Sequence, residues 1–527
     1  MTESRTRDVL DRTEARKPAH SGASPGGPPQ GVPPSLDVIF RRIVARHPHV
    51  PALVDPPDKR RVTGDAPSGL TFAETDLAVT ALAAQFVRSG LPTGSVIAVQ
   101  LPNTVELILT VLAALRAGLA VALLPQLWRQ AEVSAALNRT SARAIVTMET
   151  IDGVNHADLA MNAAVEAFSI RHVFGFGSNL PEGMTPLDLA AAADGAETMF
   201  PIQDPRRAAV ISFDITTEGP RAVPRTHLQM ISGGLAIFLE SGIGQGAAML
   251  SAVQPSSFAG LAASLGVWLL SGGTLSLHHP FDDEVLLRQL GEEACSTFIA
   301  PAPLVLGLAE SGRLQGLAAL RHVIGLWRAP EQVLSSPEWN VTSAALTDVY
   351  LFGEAGLFGA RRDSDGAPAA IQPGPHGAPR AIAGTPVAGE AILTPHGTLA
   401  LRGPMVPIAA YKPPAEPGGL TLSAPAAVDY VDTGYAARRD RASGALCITA
   451  PPSGIMAVGG YRFLSNDLQD WAKRLGQGTM LTALPDRMSG YRLAGRAPDN
   501  SRAREALAEL GLNPLMVEAF RERARAD

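Results

Sequence analysis

From Leu36 onward the chain alternates between short, wholly apolar runs and longer amphipathic ones, and few folds accept that pattern. SVIAVQL reads as a strand with no polar face, so both of its faces must be covered. TVELILTVLAALRAG follows as a helix, with Asn103 placed to cap it and Gly118 to end it. LAVALLP and RAIVTM are further buried strands, and the rhythm returns at AAMLSAV, TLSLH, STFIA and RHVIGL. Repeated strand–helix–strand units imply parallel-rich sheets covered by helices. The expected class is α/β: a large N-terminal domain over residues 36–449, holding a small β-rich subdomain at about 379–449, then a short α+β C-terminal domain over 450–527. Residues 1–35 are charged and then rich in Pro, Gly and Ser (SGASPGGPPQGVPPS), a composition that does not offset its ordering entropy, so disorder is expected there.

Composition narrows the function classes. At 527 residues several domains are expected. A net charge of −6 provides no basic field, so no nucleic-acid partner is expected. Cys295 and Cys447 lie far apart without ligand spacing, and the N-terminus lacks the apolar core of a secretion signal. A cytoplasmic location and no membrane span are therefore expected. ILTVLAALRAGLAVALL is divided by Arg116 and Gly118 and reads as a buried helix entering a buried strand.

The stretch SFDITTEGPRAVPRTH, Ser212 to His227, carries the most chemistry. Thr216, Thr217, Gly219 and Arg221 are residues that can grip an oxyanion, and Thr226 and His227 open a helix. Two features oppose phosphate binding. Ile215 is β-branched and resists the positive φ of a phosphate-cradling turn. Glu218 would stand about 5 Å from a phosphate, where repulsion is roughly 3 kcal/mol per unit charge at an effective dielectric near 20. An ordinary strand–turn–helix needs only Gly219 and Pro220, and both readings stay open on these residues alone.

The same stretch resembles the YTSGTTGxPKGxxxTH motif of the adenylate-forming, AMP-binding superfamily. Both Thr, the Pro, the final Thr and the His are kept; Asp214, Ile215, Glu218, Arg221 and Ala222 replace Ser, Gly, Gly, Lys and Gly. Nearly all of the chain after residue 36 follows suit. LPTGSVIAVQLPNTVELILTVLAALRAGLAVALLP, GVWLLSGGTLSLHHPFD, LRGPMVPIAAYKPP and VDTGYAARRDRASGALCIT are each similar to a family segment, with acid–CoA ligases nearest in spacing.

The resemblance implies a reaction in two halves, in which ATP and Mg²⁺ activate a carboxylic acid as its adenylate and CoA then displaces AMP. It would place catalytic or nucleotide contacts at Thr216, Thr217, Gly219, Arg221, Phe352 and Gly353, with Mg²⁺ on Glu354 only after a one-residue slip, since Gly356 stands at the family's Glu position. Tyr435 replaces the ribose-binding Asp, and Asp432 is the nearest substitute. Ala450, Pro451 and Ser453 replace the hinge Gly, Arg and Asp, and the last lysine, Lys473, falls well before the place of the adenylation Lys. Two functions follow: an acyl-CoA synthetase-like ligase, as in fatty acid metabolism, with impaired adenylation; or a pseudoenzyme that binds an acyl group, an acyl-CoA or a paralogous partner. The resemblance also allows a homodimer.

Overall fold

The structure, a computed structural model, describes residues 34–189, 199–216, 219–377, 387–407, 426–486 and 489–521. The stretch expected to be disordered lies outside these residues up to position 33, as do Thr217, Glu218 and the AYKPP run. The described residues from 34 onward form one compact unit.

Two parallel-rich sheets make its body. One orders its seven strands as Gly219–Thr226, Ala208–Thr216, Ala120–Leu123, Val96–Val99, Ala144–Met148, His172–Phe176 and Thr185–Pro186. Its pairings are parallel except the first. The other has eight strands, six of them a parallel set around Met249, Phe298 and Ile324, with antiparallel strands at both edges. The helix Val105–Arg116 is buried along its whole length, which explains an apolar run long enough to resemble a membrane segment. No helix among the described residues is long and apolar enough to cross a membrane.

Asn103 does not cap that helix. Thr104 holds the cap position, and the Asn103 amide donates to the carbonyls of Ser251 and His278, at 3.2 and 3.3 Å. It thereby ties the two sheets together, a long-range use that a local capping argument does not anticipate.

Five antiparallel strands between Gly374 and Ala450 form a third sheet. The C-terminal residues build a small separate core around Leu468, Leu507 and Phe520. Its first element is a hairpin, Ile455–Val458 with Tyr461–Leu464, turned by Gly459 and Gly460. This hairpin points into the cleft beside the Ala208–Thr226 strands.

Candidate functional site

The stretch from Ala208 to Thr226 is a β-hairpin. Its first strand runs to Thr216, and Gly219–Thr226 returns beside it in register: Asp214 faces Arg221, Ile215 faces Pro220 and Thr216 faces Gly219. Ile215 thus sits in extended backbone, which suits its branched Cβ. The helix starts where expected: Thr226 caps His227–Ser241 through a reciprocal capping box with Gln229. His227 is buried and accepts the amide N–H of Leu36 on Nδ1 at 3.3 Å, so it anchors the first described helix to the body. Burial lowers its pKa to about 4 and keeps the ring neutral.

Two carboxylates lie at the mouth of this hairpin, and both are engaged. Glu354, 6% exposed, accepts from the Ser212 hydroxyl and from the Phe258 amide at 3.0 Å. The fully buried Arg225 stands 3.6 Å from the same carboxylate, donates to the Glu354 carbonyl, and stacks 3.7 Å over the Phe258 ring. Burial lowers the Arg225 pKa to about 10, with Glu354 and Asp214 pulling the other way. Burial also raises that of Glu354, against the attraction of Arg225. Asp214 accepts two amides, its own neighbour Ile215 at 2.9 Å and Glu354 at 3.0 Å.

The remaining partner of Asp214 comes from the C-terminal hairpin. Arg462 donates to Asp214 at 2.8 Å through Nη1 and to the Tyr435 hydroxyl at 2.6 Å through Nη2. Burial opposes the charge on Arg462, but Tyr435 and Asp214 outweigh it and raise its pKa. Tyr435 is itself buried edge-on against Phe352, with centroids 5.5 Å apart. Two glycines make room. A Cβ on Gly353, whose φ is +58°, would stand 2.5 Å from Arg462 Nη1, and one on Gly460 would stand 2.1 Å from Arg328 Nη1. Beside them the Tyr461 hydroxyl accepts the Leu127 amide at 3.1 Å, and Gln332 donates to the Gly490 carbonyl at 3.1 Å.

The sequence-predicted residues therefore divide. Phe352, Gly353, Glu354 and Tyr435 come together around Arg462. Arg221 is exposed on the outer strand, and the Thr216 hydroxyl donates to the Gly219 carbonyl at 3.0 Å, closing the hairpin end. Asp432 shapes its own turn, accepting the Gly434 amide and the Thr398 hydroxyl at 2.8 Å each. Arg225, Arg328, Tyr461 and Arg462 were not anticipated. One local signal existed: IMAV and YRFL flank a Gly-Gly pair, a hairpin pattern.

Both carboxylates at this mouth are engaged by the protein's own donors. Among the described residues no group of three or more His, Cys, Asp or Glu side chains is placed to hold a metal ion. Glu354 is surrounded by donors and Asp214 is spent on a guanidinium. The Arg462 side chain fills the space between Asp214 and Tyr435.

Comparison with known proteins agrees with this architecture. A salicyl-AMP ligase / salicyl-S-ArCP synthetase of Mycobacterium tuberculosis is 28% identical over 197 residues, 37% of this chain and 33% of that protein. A medium-chain fatty-acid–CoA ligase of Escherichia coli is 24% identical over 274 residues, 51% of this chain and 48% of its own. The chain thus spans a third to a half of these curated relatives. Among solved structures, a variant of an amide bond synthetase from Marinactinospora thermotolerans superposes with a TM-score of 0.67 at 20% identity, covering 91% of this chain and 94% of that one. MbtA of Mycobacterium smegmatis gives 0.60 at 19% identity, with 92% and 89% covered. The family model for AMP-binding enzymes matches residues 40–404, and the chain belongs to that family.

Proposed function

We propose that this chain is an acid-ligase relative whose adenylation half-reaction is impaired because its own side chains occupy the nucleotide site, and that it serves to bind a carboxylic acid or an acyl-CoA. The observation that carries this reading is Arg462, held at 2.8 Å from Asp214 and 2.6 Å from Tyr435. By the family resemblance, those two positions belong to the phosphate loop and to the ribose-binding residue. Catalysis of this kind requires preorganised groups left free to meet developing charge. Here the groups at those positions are satisfied by one another. ATP, Mg²⁺ and CoA are what the family employs; among the described residues, the two carboxylates at this mouth, Asp214 and Glu354, are each engaged by the protein's own donors.

The test is calorimetric titration of the full chain with Mg–ATP, together with ATP–pyrophosphate exchange over a panel of fatty and aryl acids. We expect no exchange above blank and no binding at micromolar nucleotide. Micromolar affinity, or exchange with any acid, overturns the reading and restores a working ligase.

A further inference from the structure

A groove of about 790 Å³ runs between the helix Leu36–Arg46 and the turn at Leu269–Gly272, and none of its lining residues belongs to the site described above. Its floor is apolar, built from Ile39, Ile43, Leu269 and Leu270. The polar groups of the turn are taken. The Gly246 amide donates to the Ser271 carbonyl at 2.8 Å, the Gly272 amide to the Trp268 carbonyl at 2.9 Å, and the Gln245 side chain to the Leu270 carbonyl at 3.0 Å. The floor therefore offers apolar surface to whatever lies on it.

The rim carries charge of one sign. Arg42 and Arg46 are both exposed and stand one helical turn apart, about 6 Å along the axis. Their neighbour Arg41 is drawn back onto Asp37 at 3.1 Å. Arg42 and Arg46 form no ion pair among the described residues, and no acidic residue lines the groove. This is a local cationic rim on a chain whose net charge is −6. Arg46 also complements the C-terminal dipole of its own helix, which explains one arginine but not a pair beside an apolar floor. The helix itself is held firmly: Arg116 meets Asp37 at 2.9 Å, and Phe40 packs on Trp268 with centroids 6.0 Å apart. The two arginines thus project from a fixed platform, which lowers the ordering cost of binding.

We propose that this groove docks an acidic amphipathic segment of a partner protein, with apolar side chains laid on Ile39, Leu269 and Leu270 and two carboxylates, about 6 Å apart, on Arg42 and Arg46. Residues four apart on a helix, or two apart on a strand, provide that spacing. A free small anion fits less well, because both guanidinium heads are exposed and an exposed ion pair alone is weak. A membrane surface also fits less well. Among the large apolar side chains of the groove only Val50 is exposed, at 39%, and a bilayer is reached by protruding apolar residues rather than by a recessed floor. The inference is independent of whether the nucleotide site is closed.

Fluorescence anisotropy on the full chain uses three labelled peptides with one helical pattern: Glu with Leu, Gln with Leu, and Glu with Ser. The variants are Arg42→Gln with Arg46→Gln, Leu270→Ala, and Arg171→Gln as an exposed arginine elsewhere; thermal unfolding checks that each folds. The expected result is that the Glu–Leu peptide binds the wild type, and that the Gln–Leu and Glu–Ser peptides bind about three-fold or more weaker. The double arginine variant should weaken Glu–Leu binding by about 3–10-fold and remove most of its salt dependence. Leu270→Ala should weaken it by about three-fold or more, and Arg171→Gln should leave it unchanged. No binding of the Glu–Leu peptide, equal binding of the Gln–Leu or Glu–Ser peptide, an undiminished affinity in the double arginine variant, or an equal loss in Arg171→Gln overturns the proposal. So does tighter binding to phosphatidylserine vesicles than to the peptide, which would make the rim a membrane contact. Should Leu270→Ala not fold, the exposed arginines and the three peptides decide alone.

Discussion

Replacing Arg462 by alanine should undock the C-terminal hairpin. The side chain loses its 2.8 Å contact with Asp214 and its 2.6 Å contact with Tyr435, both in a site where Asp214 is only 6% exposed. Removing one partner of a buried pair costs about 3–5 kcal/mol, mostly for the charge left behind. Asp214 keeps the amides of Ile215 and Glu354, which argues for the lower end, about 3 kcal/mol. At about 1.4 kcal/mol per ten-fold, docking weakens by roughly 100-fold. Native-state amide exchange over residues 455–464 reads this opening directly. Protection there should fall by roughly that factor, while strands such as Val96–Val99 keep theirs. In a double-mutant cycle with Asp214→Ala, the coupling should be about 1–3 kcal/mol. A change in hairpin protection below about three-fold would refute the reasoning, because the ion pair would then contribute no more than an exposed one. The Arg462→Ala variant should not gain Mg–ATP binding, since it turns an uncompensated Asp214 toward the phosphates.

Two further outcomes are expected. Burial holds the neutral form of His227, whose pKa falls from about 6.5 to about 4. Stability is therefore full above pH 6.5 and declines as pH falls toward 4, by about 3 kcal/mol in all; urea unfolding of His227→Gln should show that decline flattened, and an identical pH slope would count against it. Arg225→Met leaves Glu354 buried without its cation and should cost about 3–5 kcal/mol in urea unfolding, while Glu354→Gln should cost less, because the Arg225 cation it leaves behind keeps the Glu354 and Met405 carbonyls and the Phe258 ring; the reverse order would mean that these other contacts do not support the guanidinium.

The fold is legible where burial alone dictates residue type. SVIAVQL and LAVALLP cannot be anything but interior strands, and the Gly-terminated helices between them follow from period and caps. Thr226 and His227 are legible as a helix start because capping is local. The role of Asn103 is not, because its partners, Ser251 and His278, lie in a different sheet. The site divides in the same way. Tyr435 and Glu354 stand out in the sequence as departures at motif positions, but what they bind depends on residues contributed from elsewhere. Arg225 is one charge in an apolar strand, and nothing nearby signals that Glu354 will meet it. Arg462 looks like an ordinary polar position in a hairpin until the hairpin is placed in the cleft. Charge partners separated by hundreds of residues leave no periodicity to read.

The distance along the chain between Asp214 and Arg462, 248 residues, also sets an order of assembly. A ribosome adding about 5–20 residues per second needs about 12–50 s to make that interval. Throughout it the nascent body already holds Arg225 but lacks the guanidinium that Asp214 awaits. The keystone of this cleft is thus synthesised long after the carboxylate it meets, and any molecule able to neutralise Asp214 meanwhile competes with the later hairpin for the place.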